Sequence, residues 1–139
     1  MNISTRYFAI VAAVLYFIVV AFQVALAAGA PWGRAAYGGA VEQPGIELRI
    51  SSAISAIIWT SAALIVLKRA GLRVWAPLPK RALPAAVWVL AGISIVAIVA
   101  NAITPSDIER AIWLPHTILM AIATFGLAIS SKRSARVAA

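Results

Sequence analysis

Residues 7–28 read YFAIVAAVLYFIVVAFQVALAA, an apolar run without a single charge. At about 1.5 Å of rise per residue, a helix of that length crosses a hydrocarbon core of about 30 Å. How this stretch is read decides the fold. Its end, Val24-Ala25-Leu26-Ala27-Ala28, also resembles a signal-peptidase site. A secretory signal has an apolar region of only about 7–15 residues, so the run is expected to be retained as a membrane helix. Three further apolar stretches follow, and together they predict helices over about 7–28, 50–69, 84–103 and 107–130. The expectation is an all-α polytopic membrane protein, a four-transmembrane-helix up-down bundle forming a single membrane domain over 1–139.

Composition agrees with that reading. The 139 residues are 63% hydrophobic and 12% charged, with a mean hydropathy of +0.97, too apolar for an ordinary soluble domain. Only one long connection, residues 29–49, separates the first helix from the last, which leaves no room for a soluble domain. The absence of cysteine excludes disulfide scaffolds, thiolate metal sites and thiol redox chemistry.

The net charge of +8 is unevenly distributed. Arg6, the cluster Lys68, Arg69, Arg73, Lys80 and Arg81, and the tail Lys132, Arg133 and Arg136 fall on one side if the chain threads four times. The other side receives Arg34, Arg49 and Arg110 with all four acids, Glu42, Glu47, Asp107 and Glu109. By the positive-inside rule both termini are expected to be cytoplasmic. The lipid bilayer is then the main partner, with anionic headgroups against the basic flank. Nothing aromatic interleaves the cations, so nucleic acid is not an expected partner.

The connector after the first helix, Gly29-Ala30-Pro31-Trp32-Gly33-Arg34-Ala35-Ala36-Tyr37-Gly38-Gly39, is the piece that hydrophobicity does not explain. Gly29 suits a left-handed C-cap, Pro31 ends the helix, and Trp32 suits the membrane interface. The remaining glycines predict a compact turn folded back over the bundle mouth. Gly29 and Gly33 have GxxxG spacing, but Pro31 lies between them. A phosphate loop would need Lys and Ser/Thr where Gly39 and Ala40 stand.

In the second helix Ser51 and Ser55 share a face, extended by Ala56 and Thr60, and predict a close helix interface. Trp59 lies near mid-span, facing either lipid or the interior. Gln23 and Asn101 are expected to make packing hydrogen bonds or caps. In the fourth helix Ser106 and Glu109 have capping-box spacing. Glu109, Trp113, His116, Met120 and Thr124 recur at steps of three and four along one face. Pro115 cannot bond to the Ala111 carbonyl, and the carbonyl so freed, beside the lone His116, marks a candidate polar pocket.

Chemistry is constrained by what is missing. One histidine cannot supply two axial haem ligands, and the scattered carboxylates lack zinc-site spacing. No acid lies deep in the bilayer as proton-coupled transport would want, and no serine sits in a nucleophile motif. No catalytic residue, metal or cofactor is expected. The polar residues that do occur gather toward the loop side, giving Trp32, Arg34, Tyr37, Arg49, Glu109, Trp113 and His116 as candidate ligand-binding residues. Glu47 or Glu109 is expected to pair with Arg49 or Arg110.

Several of these residues form short motifs: Gly29-Ala30-Pro31-Trp32-Gly33 with Gly38-Gly39, Arg49 with Ser51, and Glu109-Arg110 followed by Trp113 and Pro115. In this the chain resembles a set of small, uncharacterised four-span bacterial membrane proteins. That resemblance implies a four-helix fold in a bacterial inner membrane and carries over no catalytic residue. The expected function is non-enzymatic binding of a lipid, a small apolar ligand or a protein partner at the extracytoplasmic face. The alternatives are a small oligomeric channel or permease and, last, a membrane-embedded enzyme. Self-association or a membrane partner protein is the protein-level expectation.

Overall fold

The computed structural model describes residues 3–137, with side chains through Lys132. Four long helices account for most of it: α1 (Ile3–Ala28), α2 (Ile46–Arg69), α3 (Leu83–Ile103) and α4 (Asp107–Val137). Three short 3-10 turns, Gly33–Ala35, Tyr37–Gly39 and Lys80–Ala82, lie in the connections, and no strand occurs among the described residues. Each of the four helices is long and apolar enough to cross a membrane. The chain is therefore an all-helical, four-span bundle. Residues 29–45 and 104–106 lie at one end, the loop end, while residues 70–82 link α2 to α3 at the other, the basic end.

Helix ends follow local chemistry. Glu47 opens α2, and Lys68 and Arg69 close it, each sign matched to the dipole it meets. Asp107 and Glu109 occupy the first turn of α4, and Pro84 sits where the first turn of α3 needs no donor. The helices overrun the expected limits: α1 starts at Ile3 instead of 7, α2 at Ile46 instead of 50, and α4 continues to Val137 instead of 130. Polar residues such as Arg6 and Glu47 leave lipid without leaving the helical hydrogen-bond pattern, so hydropathy marks where the bilayer begins and not where the helix does.

Helix α1 is the hub, packing on α2 and α4, while α4 also packs on α3; α2 and α3 touch far less. The largest buried cluster lies in the half toward the basic end. There Ala9, Ala12, Ala13 and Tyr16 of α1 meet Ala62, Ala63 and Val66 of α2 and Leu127 and Ala128 of α4. Small residues at steps of three and four let the backbones approach, and dispersion between close-packed atoms is the main gain where lipid is already apolar. The opposite faces, with Ile57, Ile58, Val96 and Ile122, are exposed as lipid-facing surface must be.

Within α2 the buried stripe is Ser52, Ala56 and Ala63. The expected Ser51–Ser55 interface is thereby corrected: Ser51 is exposed, and the inward face is rotated by one residue. Trp59 turns inward and stacks on Tyr16, ring centroids 5.5 Å apart. The Tyr16 hydroxyl lies 3.1 Å from Thr124 Oγ1. Because Thr124 donates to the Met120 carbonyl at 2.8 Å, Tyr16 is the donor to Thr124. This Tyr16–Trp59–Thr124 layer divides the closely packed half from the half below the loop.

Candidate functional site: a lidded cavity at the loop end

The connector forms a lid, and its path is set residue by residue. At the end of α1, Ala30 N–H donates to the Ala25 carbonyl and Gly29 N–H to the Leu26 carbonyl, at 2.9 and 3.0 Å. This is a Schellman cap with Gly29, at φ +97°, in the left-handed position. Arg49 Nε donates to the neighbouring Ala27 carbonyl at 2.9 Å, holding the start of α2 to the end of α1.

From there the lid is tied to α4 and α2. Ser106 Oγ donates to the Arg34 carbonyl at 2.6 Å, Trp113 Nε1 to the Ala35 carbonyl at 2.8 Å, and Gly38 N–H to Glu109 Oε2 at 2.9 Å. Tyr37 donates to the Leu48 carbonyl at 3.2 Å and its hydroxyl also meets that of Ser52. Tyr37 reaches these partners with φ at +53°, a backbone region that costs a bulky residue about 1–3 kcal/mol and persists only where its surroundings enforce it. Gly39, at φ +72°, passes so close to α4 that a Cβ there would fall 2.8 Å from Ser106 Cβ.

Beneath the lid lies a cavity of about 200 Å³. Ala35, Ala36 and Tyr37 roof it, and Val19, Phe22 and Gln23 of α1 form one wall. Ala97 and Asn101 of α3 face Glu109, Trp113 and Thr117 of α4, with Trp59 and Met120 below. Phe22 and Trp113 meet edge to face at 4.7 Å between centroids. The wall is mainly apolar and aromatic, with a few polar groups, the usual make-up of a small-molecule site. Neither lysine nor arginine lines it.

Of the seven residues expected to bind a ligand, Tyr37, Glu109 and Trp113 line this cavity and four do not. Trp32 is half exposed and stacks on the outer side of Phe22, centroids 6.2 Å apart. Arg34 is exposed and pairs with Glu42 at 3.4 Å. Arg49 caps α1, as described. His116 meets the Leu15 carbonyl of α1 at 3.1 Å; since a carbonyl only accepts, Nε2 carries the proton. Neither His116 nor Ala111, whose carbonyl Pro115 frees, lines the cavity.

Other expectations are also corrected. Neither Glu47 nor Glu109 forms an ion pair among the described residues; Arg110 pairs with Asp107 at 3.2 Å and donates to the Thr104 carbonyl at 2.6 Å. Only half of the capping box forms. Ser106 Oγ accepts Glu109 N–H at 3.2 Å, but the Glu109 carboxylate turns away from Ser106. Its Oε2 accepts from Gly38 N–H and from the Thr104 hydroxyl, both at 2.9 Å, and Oε1 has no partner among the described residues. Among the described residues Gln23 makes no interhelical bond, and its Oε1 is buried without a partner. Asn101 bonds back to Ala97 within α3 at 2.8 Å.

The sequence reading missed Val19, Phe22, Trp59 and Ala97 as wall residues. Their only signal is helical phase, since from Tyr16 the same α1 face reaches Val19 and Gln23 at steps of three and four. Among the described residues no three His, Asp or Glu side chains converge as metal ligands would. No family model, curated protein or solved structure is significantly similar to this chain.

Proposed function

We propose that this protein is a membrane-embedded binding protein that takes a small, largely apolar ligand, or one end of a lipid, into the cavity under its lid. The observation that carries this is the cavity itself, an aromatic-lined space with a buried, unbonded Gln23 Oε1. An apolar cavity of roughly 150 Å³ already holds a guest the size of benzene, whereas drug-sized ligands need about 300–1,000 Å³. The occupant is therefore a head or a short segment. It enters along the α2–α3 seam, where contact is sparser than at the α1–α2, α1–α4 and α3–α4 seams and α2 contributes only Trp59 to the wall.

Conduction is less well supported. A channel needs a continuous polar path, and below Trp59 and Met120 the bundle is packed with alanine, leucine and valine. The positive-inside rule supports cytoplasmic termini and an extracytoplasmic lid, and the motif resemblance supports a bacterial inner membrane. Since the native chain has no cysteine, Ala40→Cys gives a clean topology test. A membrane-impermeant maleimide labels it from the outer side of sealed cells; labelling only after permeabilisation inverts the orientation.

The binding reading is tested by filling the space. Ala97→Phe places a ring in the cavity from the α3 side. Native mass spectrometry of purified wild type is expected to show a bound small molecule or lipid that Ala97→Phe lacks, with both proteins monodisperse. Equal bound content in the two proteins overturns the proposal.

A further inference from the structure

The cavity wall has a polarity that its size alone does not explain. Trp113, Thr117 and Tyr37 each commit their single side-chain proton to a backbone carbonyl of the protein, at 2.8, 2.8 and 3.2 Å. Glu109 does not commit fully: one carboxylate oxygen takes both of its hydrogen bonds and the other takes none. No cation lies within ion-pairing distance of it among the described residues, and none lines the cavity. Gln23 and Asn101, as amides, can serve either a donor or an acceptor.

Glu109 is only partly buried, so water can serve Oε1 in the empty site, and a ligand that displaces that water must offer the oxygen a partner or leave its charge uncompensated. The Gly38 N–H and the first turn of α4 turn positive dipole ends toward Glu109 and favour its charge, but they leave Oε1 without a hydrogen bond. What remains is one unshared acceptor on a residue lining the lid end of a space walled by Phe22 and Trp113 and roofed by Tyr37. Aromatic faces attract cations through their quadrupole, most strongly when the cation is desolvated, and quaternary ammonium groups are characteristic guests of aromatic-walled sites. An anion would find no cationic partner there.

Resting on the binding proposal, we infer that the ligand is an amphiphilic ammonium, its cationic head held by Glu109 Oε1 among the aromatic rings and its apolar part leaving between α2 and α3. The role of Glu109 in tying down the lid does not account for this arrangement, because that role uses Oε2 alone. The head could belong to a free alkylammonium or to an aminophospholipid; the chemistry that recognises it is the same.

Two matched probes test the inference: radiolabelled decyltrimethylammonium and its uncharged analogue with carbon in place of nitrogen. Both are measured by equilibrium binding to the full chain in an uncharged detergent. Wild type is expected to prefer the cation by about tenfold or more. Glu109→Gln keeps an acceptor for Gly38 and Thr104, so it should lose that preference and still bind the neutral probe. Phe22→Leu, which removes a ring that makes no hydrogen bond and lies against Trp113, should weaken the cation more than its analogue. Doping the micelles with phosphatidylethanolamine displaces the cation from wild type if a lipid head is the natural ligand; if the ligand is a free amphiphile, neither this lipid nor phosphatidylglycerol competes.

Equal affinity for both probes, unchanged in Glu109→Gln and abolished in Ala97→Phe, overturns the ammonium inference and leaves the binding proposal standing. Binding of both probes that Ala97→Phe leaves intact removes the two together.

Discussion

The two halves of this bundle share the same four helices and differ in what stands between them. Toward the basic end, alanines face alanines: Ala9, Ala12 and Ala13 against Ala62 and Ala63, with Ala123 and Ala128 from α4, all buried. Toward the loop end the inward positions carry Phe22, Trp59 and Trp113. Small residues bring backbones together and fill the space; large flat rings hold helices apart and leave gaps their own shape cannot close. A site in a membrane bundle thus arises where the sequence switches from small to aromatic side chains along a helix face. The Tyr16–Trp59 stack marks the switch.

The sharpest way to break this comparison is to shorten one side chain in each half. Leu127, fully buried in the packed half, has no slack around it. Leu127→Ala should cost about 2–5 kcal/mol, read as a shifted midpoint in a reversible denaturing-detergent titration. Val19 borders space that is already empty, so Val19→Ala should cost only about 1 kcal/mol. Equal losses at the two positions would mean that the halves do not differ in packing.

The lid sharpens the comparison from the other side, since it is held by hydrogen bonds and backbone geometry instead of packed side chains. Gly39→Ala forces a Cβ against Ser106 at a positive φ, a local strain of about 1–3 kcal/mol. Hydrogen exchange over residues 33–39 should accelerate markedly, with the Gly38 amide most affected, while the amides of Ala62, Ala63 and Val66 keep their protection. Faster exchange throughout the bundle would show that the lid and the packed half unfold as one unit.

The four spans and the loop-end position of the lid were legible in the sequence, because both depend on quantities that add along the chain: apolar length, and glycine and proline punctuation. The lid's partners were only partly so. Ser106 and Glu109 announced a helix start, but whether Glu109 closes its own capping box or reaches to Gly38 depends on a loop more than seventy residues away in the chain. His116 is the converse case. A lone polar residue beside a proline drew attention, yet its bond to Leu15 is a packing contact between α1 and α4. The cavity wall itself was the least legible, because Val19, Phe22 and Ala97 are ordinary membrane-helix residues, and only the rotation of each helix about its axis decides whether they face lipid or the interior.

The smallest expected effect tests the boundary between the halves. Tyr16 is fully buried and donates to Thr124 across the α1–α4 interface. Hydrogen bonds between membrane helices average about 0.6 kcal/mol, because the unfolded reference state in lipid finds partners too. Thr124 also keeps its own bond to the Met120 carbonyl when the tyrosine oxygen is removed, so no proton donor is stranded. Tyr16→Phe leaves the ring and its stack on Trp59 in place, and its loss should stay near that average in the same detergent titration. A loss several times larger would mean that the hydroxyl, and not the Tyr16–Trp59 stack, fixes the floor of the cavity. Ligand affinity should then fall in Tyr16→Phe as well, whereas a floor set by the stacked rings leaves it unchanged.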